Sequence, residues 1–135
     1  MVLLVPSYVH LLGKETRRKI IEIMANSRGV RRLAEELGVT PAAISKYLRG
    51  ETHPSDRVVE RAIEVMSSDE ALEVSRIVAN ELLEGLNDYV RWSIERGVVD
   101  PRVSARLSEI AAMAGLASLS SRKPVEAPSP QASYT

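Results

Sequence analysis

Between Val30 and Arg49 the chain spaces cationic and hydroxyl side chains in a way suited to gripping a polyanion. Arg31 and Arg32 lead the stretch, Thr40 and Ser45 supply hydroxyls, and Lys46 and Arg49 add positive charge three residues apart. Guanidinium and ammonium groups neutralise phosphate oxygens, whereas hydroxyls and small apolar side chains meet base edges in a groove. Pro41 and Ala42 offer only apolar contact, for example an alanine methyl against the C5-methyl of thymine. Lys46 lies one helical turn beyond Ala42, and Arg28 and Arg57 extend the cationic set on either side. The candidate contacts with such a polyanion are Arg28, Arg31, Arg32, Thr40, Pro41, Ala42, Ser45, Lys46, Arg49 and Arg57. For each arginine the competing reading is a solvated helix charge paired with Glu35, Glu36 or Glu60.

Other chemistries find little support. His10 and His53, the two histidines, stand 43 residues apart and in no metal-type spacing, and there is no cysteine for a disulfide, a thiolate zinc site or a nucleophile. Phosphate-cradling glycine loops, a nucleophile elbow and a convincing carboxylate pair are all missing, so neither an enzyme nor a metal or other cofactor is expected. Aromatics are 4% of the chain, with no Phe, too few for a stacking platform that holds single strands. Tyr47 and Trp92 are expected to pack rather than to bind a ligand.

The formal net charge is zero but unevenly placed: residues 1–66 hold 11 Lys+Arg against 8 Asp+Glu, and residues 67–135 hold 7 against 10. The positive balance accompanies the candidate contacts. With 44% hydrophobic residues the chain can bury a core, and the opening run Val2–Val5 is far short of a membrane span, so a soluble, cytoplasmic protein is expected.

Helical periodicity dominates, and no long alternating run suggests a sheet; the fold class is all-α. A short turn is expected from Pro6 through Leu12, then helices over Lys14–Asn26, Arg31–Leu37, Ala42–Arg49 and from Pro54–Ser55 onward. Thr40 and Pro41 start the third of these, because a threonine hydroxyl caps orphan amides and proline is pre-set for the first helical position. Ser67 and Glu70 make a capping box that opens a long helix to about Arg96, and Asp100 with Pro101 opens a final one to about Leu119. On that last helix Val103, Leu107, Ile110, Ala111 and Ala114 are expected to face inward. From Ser120 the composition turns to Ser, Pro and Ala, as in a disordered tail.

The run LAEELGVTPAAISKYLRG, followed by ETHPS, resembles the helix-turn-helix domain of the phage Cro and repressor type, also called the xenobiotic-response-element family. The matching residues are Leu33, Ala34, Gly38, Val39, Ile44, Ser45, Gly50 and Pro54, within a span of about Lys14 to Met66. The resemblance implies that Ala34 sits where two helices cross, that Gly38 makes the turn and that Leu33, Leu37, Val39, Ile44 and Tyr47 face inward. It further implies a recognition helix beginning at Thr40. Where family members often carry polar base-reading residues, this chain has Pro41, Ala42 and Ala43.

The expected organisation is a DNA-binding domain of four to five helices over residues 1–66, a helical extension over 67–119 and a tail over 120–135. Leu72, Val78, Leu82, Leu83, Leu86, Tyr89 and Val90 give the long helix a broader apolar face than one neighbour needs, and a homodimer is the natural outlet. The implied function is a transcriptional repressor acting on a palindromic operator. The alternatives are an antitoxin-type protein, or an adaptor, whose extension grips a different polypeptide.

Overall fold

Capping chemistry decides where the helices begin. In the computed structural model, which describes residues 6–121, the Thr40 hydroxyl accepts from the Ala43 amide at 3.0 Å with Pro41 at the first helical position. Ser67 and Glu70 close their capping box reciprocally, at 3.2 Å from the Glu70 amide to the serine hydroxyl and 2.7 Å from the Ser67 amide to the carboxylate. Asp100 accepts from the Arg102 amide at 2.9 Å. A short 3-10 turn, Ser7–Leu11, is followed by α1 (Lys14–Arg28), α2 (Val30–Leu37), α3 (Pro41–Leu48), α4 (Asp56–Val65), α5 (Ser68–Arg96) and α6 (Pro101–Ser121). No strand occurs among the described residues, and the fold is all-α as expected. The opening Val2–Val5 run and the tail from 122 lie outside the described residues, whereas Ser120 and Ser121 belong to α6.

The chain divides into two compact units with the boundary between Tyr89 and Val90, inside α5. In the first, Ile20, Ile21 and Met24 of α1 pack with Leu33, Ala34 and Leu37 of α2, Ile44 of α3 and Val58, Val59 and Ala62 of α4. Val9 and Leu12 close one end. Val74 and Val78, one turn apart on α5, complete this core, and Leu82 packs against it half-buried. Val78 was expected on a dimer face; it is 8% exposed, because the first half of α5 is the fifth wall of the helix-turn-helix core. The core thus extends well beyond the expected domain end at residue 66.

Polar ties reinforce that wall. Glu81 of α5 accepts from the Gly13 amide at 2.7 Å, acting from a distant helix as the cap that α1 lacks locally. Arg17 donates to the carbonyls of Val9, Leu12 and Pro54 and to Asp56, so one guanidinium fixes the 3-10 turn, α1 and the start of α4.

The second unit contains the end of α5 and all of α6. Ser93 is buried and donates to the Val90 carbonyl at 2.7 Å. Val103 and Leu107 are half-buried as expected, but Ile110, Ala111 and Ala114, expected to face inward, are exposed because no described element covers that part of α6.

Candidate nucleic-acid interface

α2 and α3 are joined by a turn that only glycine enters without strain. Gly38 has φ 70° and ψ 32°, the left-handed region, and its amide and that of Val39 donate back to the Glu35 and Ala34 carbonyls at 3.2 and 3.0 Å. Two orphan carbonyls of α2 are satisfied, and Val39 is left packed against the core. Gly50, at φ 73°, ends α3 in the same way, with the Gly50 and Glu51 amides bonded to the Tyr47 and Lys46 carbonyls. Ala34 is 1% exposed, so α2 sits close to its neighbours, and Ile44, fully buried, anchors α3.

With Ile44 inward, the rotation of α3 is fixed. Ala42, Lys46 and Arg49, at intervals of four and three residues, all lie exposed and share one outward face. Pro41 and Thr40 are exposed at the start of that helix, and Ser45 is half-buried beside it. Tyr47 packs partly buried against the core. Arg49 is not unpaired: its Nε donates to Glu51 at 2.8 Å, which holds the Glu51 carboxyl below its ordinary pKa. Lys46 forms no ion pair with another described residue.

α2 begins on Gly29, which supplies no side-chain cap, so the first amides of α2 have no capping side chain. Arg31 is exposed in that first turn, with no ion pair to another described residue, and Arg32 beside it donates to Glu36 at 2.8 Å.

Two sequence-assigned contacts lie elsewhere. Arg28 was expected on phosphate, yet its guanidinium is 10% exposed and bonded to Glu70, Glu36 and the Val65 carbonyl. Burial opposes ionisation of Glu70, but hydrogen bonds from Ser67 and Arg28 outweigh it and hold the carboxyl below its ordinary pKa. Arg28 therefore ties the end of α1 to α2 and the start of α5; its donors are taken up by carboxylates and a carbonyl. Arg57 is exposed on α4 but lines a shallow groove with Glu35, Glu36, Glu60, Arg61 and Glu64, where carboxylates outnumber cations. A phosphate would meet net repulsion there. His10, set aside in the sequence as a metal ligand, bonds Asp56 through Nδ1 at 2.5 Å, while His53 is exposed in the loop after α3.

The sequence reading missed the uncapped start of α2. The signal was Gly29 immediately before Val30, a residue type that ends one helix and cannot cap the next with a side chain.

A set of short helices around one core, a glycine-turned pair among them, with one cationic outward helix face is the architecture of a helix-turn-helix domain. Residues 22–71 match the model of the family described as Helix-turn-helix, 50 of the 135 residues. This segment is a helix-turn-helix of the Cro/repressor type, a DNA-binding module of transcription regulators. Comparison with curated proteins and with solved structures gives no match. Among the described residues no helix is long and apolar enough to cross a membrane.

Proposed function

We propose that this protein is a transcriptional repressor that lays α3 in the major groove of double-stranded DNA and binds a palindromic operator as a homodimer. The observation that carries the reading is the outward stripe Ala42, Lys46 and Arg49 on a helix whose opposite side is locked by Ile44. Lys46 and Ser45 are the polar readers, Ala42 and Pro41 give methyl and ring contact, and Thr40 sits at the groove edge. Arg49 is within reach of either a base edge or a phosphate once it exchanges Glu51 for DNA. Arg31, Arg32 and the open amides at the start of α2 receive backbone phosphates. Arg28 leaves the contact set and acts as an internal fastener; Arg57 leaves it because of its acidic surroundings.

A homodimer is supported by the apolar surface beyond the first unit's core: Leu83, Leu86 and Tyr89 are exposed on α5, as is Leu72 nearer its start, while Val90 is half-buried. A two-fold axis would place two α3 helices on half-sites about 34 Å apart, one DNA turn. Selection of bound duplexes from a random pool tests the reading. An inverted repeat with half-site centres about 10 base pairs apart is expected; enrichment of a lone half-site contradicts the dimer, and no enrichment contradicts sequence-specific binding.

A further inference from the structure

Just past α3 the chain places a carboxylate against the arginine of the outward stripe. Arg49 donates to Glu51 from two nitrogens, Nε at 2.8 Å and Nη2 at 3.3 Å, so the carboxylate lies along one side of the guanidinium plane. This side-on pairing leaves the far edge, one N–H from Nη1 and one from Nη2, without an acceptor among the described residues. Other arginines assigned to DNA in the sequence are held differently: Arg28 is engaged at all three nitrogens inside the fold, and Arg32 meets Glu36 through Nε.

The pairing is built into the end of the helix. Gly50, at φ 73°, turns the chain, and the Gly50 and Glu51 amides donate to the Tyr47 and Lys46 carbonyls, both at 3.0 Å. That hydrogen-bonded turn fixes the backbone of Glu51 relative to Arg49. Both side chains stay more than half exposed, at 58% and 52%. An ion pair so open to water adds little to folding, and its consequence lies in where it points the guanidinium. The Glu51 carboxyl is held below its ordinary pKa by the hydrogen bond and charge of Arg49, with Lys46 adding to the pull, so the clamp is ionised at neutral pH.

We infer that Glu51 is a positioning residue that clamps Arg49 side-on and aims its open fork at the O6 and N7 atoms of a guanine in the major groove. Two features favour a base edge over a phosphate. At about 100° of rotation per residue, Arg49 points within about 20° of Ala42 around α3, so it shares the direction of the methyl contact rather than that of the flanks. Arg49 and Glu51 together are also neutral. A phosphate would gain little from a cation already paired and would meet the carboxylate's repulsion, whereas guanine offers two adjacent acceptors without net charge. The inference rests on the α3 reading above and deepens it: Arg49 keeps Glu51 while it reads, rather than exchanging it for DNA.

The test takes a duplex selected from a random pool by the intact chain, replaces each base pair in turn, and measures affinity by fluorescence anisotropy at several salt concentrations for the wild type, Arg49→Ala, Glu51→Gln and the double variant. Melting by circular dichroism is the folding control. The wild type is expected to prefer guanine at one position by about 5- to 150-fold, and Arg49→Ala to erase that preference while sparing the others. Glu51→Gln leaves the fork to be ordered on binding, so it is expected to reduce the same preference by about 2- to 10-fold and to do nothing further once Arg49 is Ala. A guanine preference untouched by Glu51→Gln, or a Glu51→Gln effect that persists without Arg49, overturns the clamp. Arg49→Ala weakening all sequences alike, with the salt slope smaller by about 1, makes Arg49 a phosphate contact; that overturns the inference and leaves α3 in the groove. Failure of the wild type to select any sequence overturns the α3 reading itself, and this inference with it.

Discussion

The two units of the chain use apolar residues in opposite ways. Among the described residues all fourteen buried hydrophobics precede Leu82, and the helices of the first unit surround them with caps and ion pairs. Eight of the thirteen exposed large hydrophobics among the described residues lie at or beyond Trp92, at the end of α5, in the connection after it and on α6. Similar helix propensity therefore yields a self-sufficient core in one place and an unfinished surface in the other. Helix formation and burial are separate achievements: the first needs local capping and periodicity, the second needs something to pack against.

The contrast is broken most forcefully by shortening the chain. Ending it after Met66 removes Val74 and Val78 from the core and Glu70 and Glu81 from their partners, at a cost on the order of 5 kcal/mol. Thermal melting by circular dichroism is expected to show this fragment unfolded or nearly so, and a fragment ending after Tyr89 to melt cooperatively. A stable 1–66 fragment would show that α5 is not a wall of the first unit.

Next in size, Ala34→Glu places a charge where α2 meets its neighbours and is expected to cost several kcal/mol. Ala42→Glu, on the exposed face of α3, should shift the melting point little while abolishing DNA binding through repulsion. Equal losses of melting temperature would mean that the two faces of the motif had been exchanged.

The smallest of the stability effects separates fastening from DNA contact. Arg28→Ala is expected to cost about 2–3 kcal/mol, because the nearly buried Glu70 loses its cation. DNA affinity per folded molecule should stay unchanged. Glu70 is held below its ordinary pKa in the fold, so the pair's contribution is present above the unfolded carboxylate value, about 4.3, and is lost as pH falls through the lower folded value. Acid melting curves should therefore show wild-type stability declining below about pH 4 and converging toward that of Arg28→Ala. Parallel curves would contradict this role for the pair.

What was legible in the sequence follows the range of the interactions concerned. Thr40 with Pro41, Ser67 with Glu70 and Asp100 with Pro101 announce helix starts because each cap acts within three residues. Gly38 announces the turn for the same reason. Arg28 was misplaced since its partner Glu70 is 42 residues away, and a cation looks alike in sequence whether it meets phosphate or carboxylate. Val78 and Leu83 belong to one broad apolar face of α5; periodicity marks the face but not which part another helix covers. Ile110, Ala111 and Ala114 fit an inward stripe by spacing alone, but spacing does not tell whether another element lies over them, and all three are exposed.

The most direct test of the account is a salt titration of duplex binding, comparing the intact chain with a Lys46→Ala, Arg49→Ala double variant by fluorescence anisotropy on a selected site. Each phosphate neutralised should contribute about −0.9 to the slope of log affinity against log salt, and the double variant should bind at least about tenfold more weakly with altered sequence preference. Affinity indifferent to salt, or a double variant that keeps both the affinity and the preference of the wild type, would contradict the assignment of α3 as the helix that reads DNA.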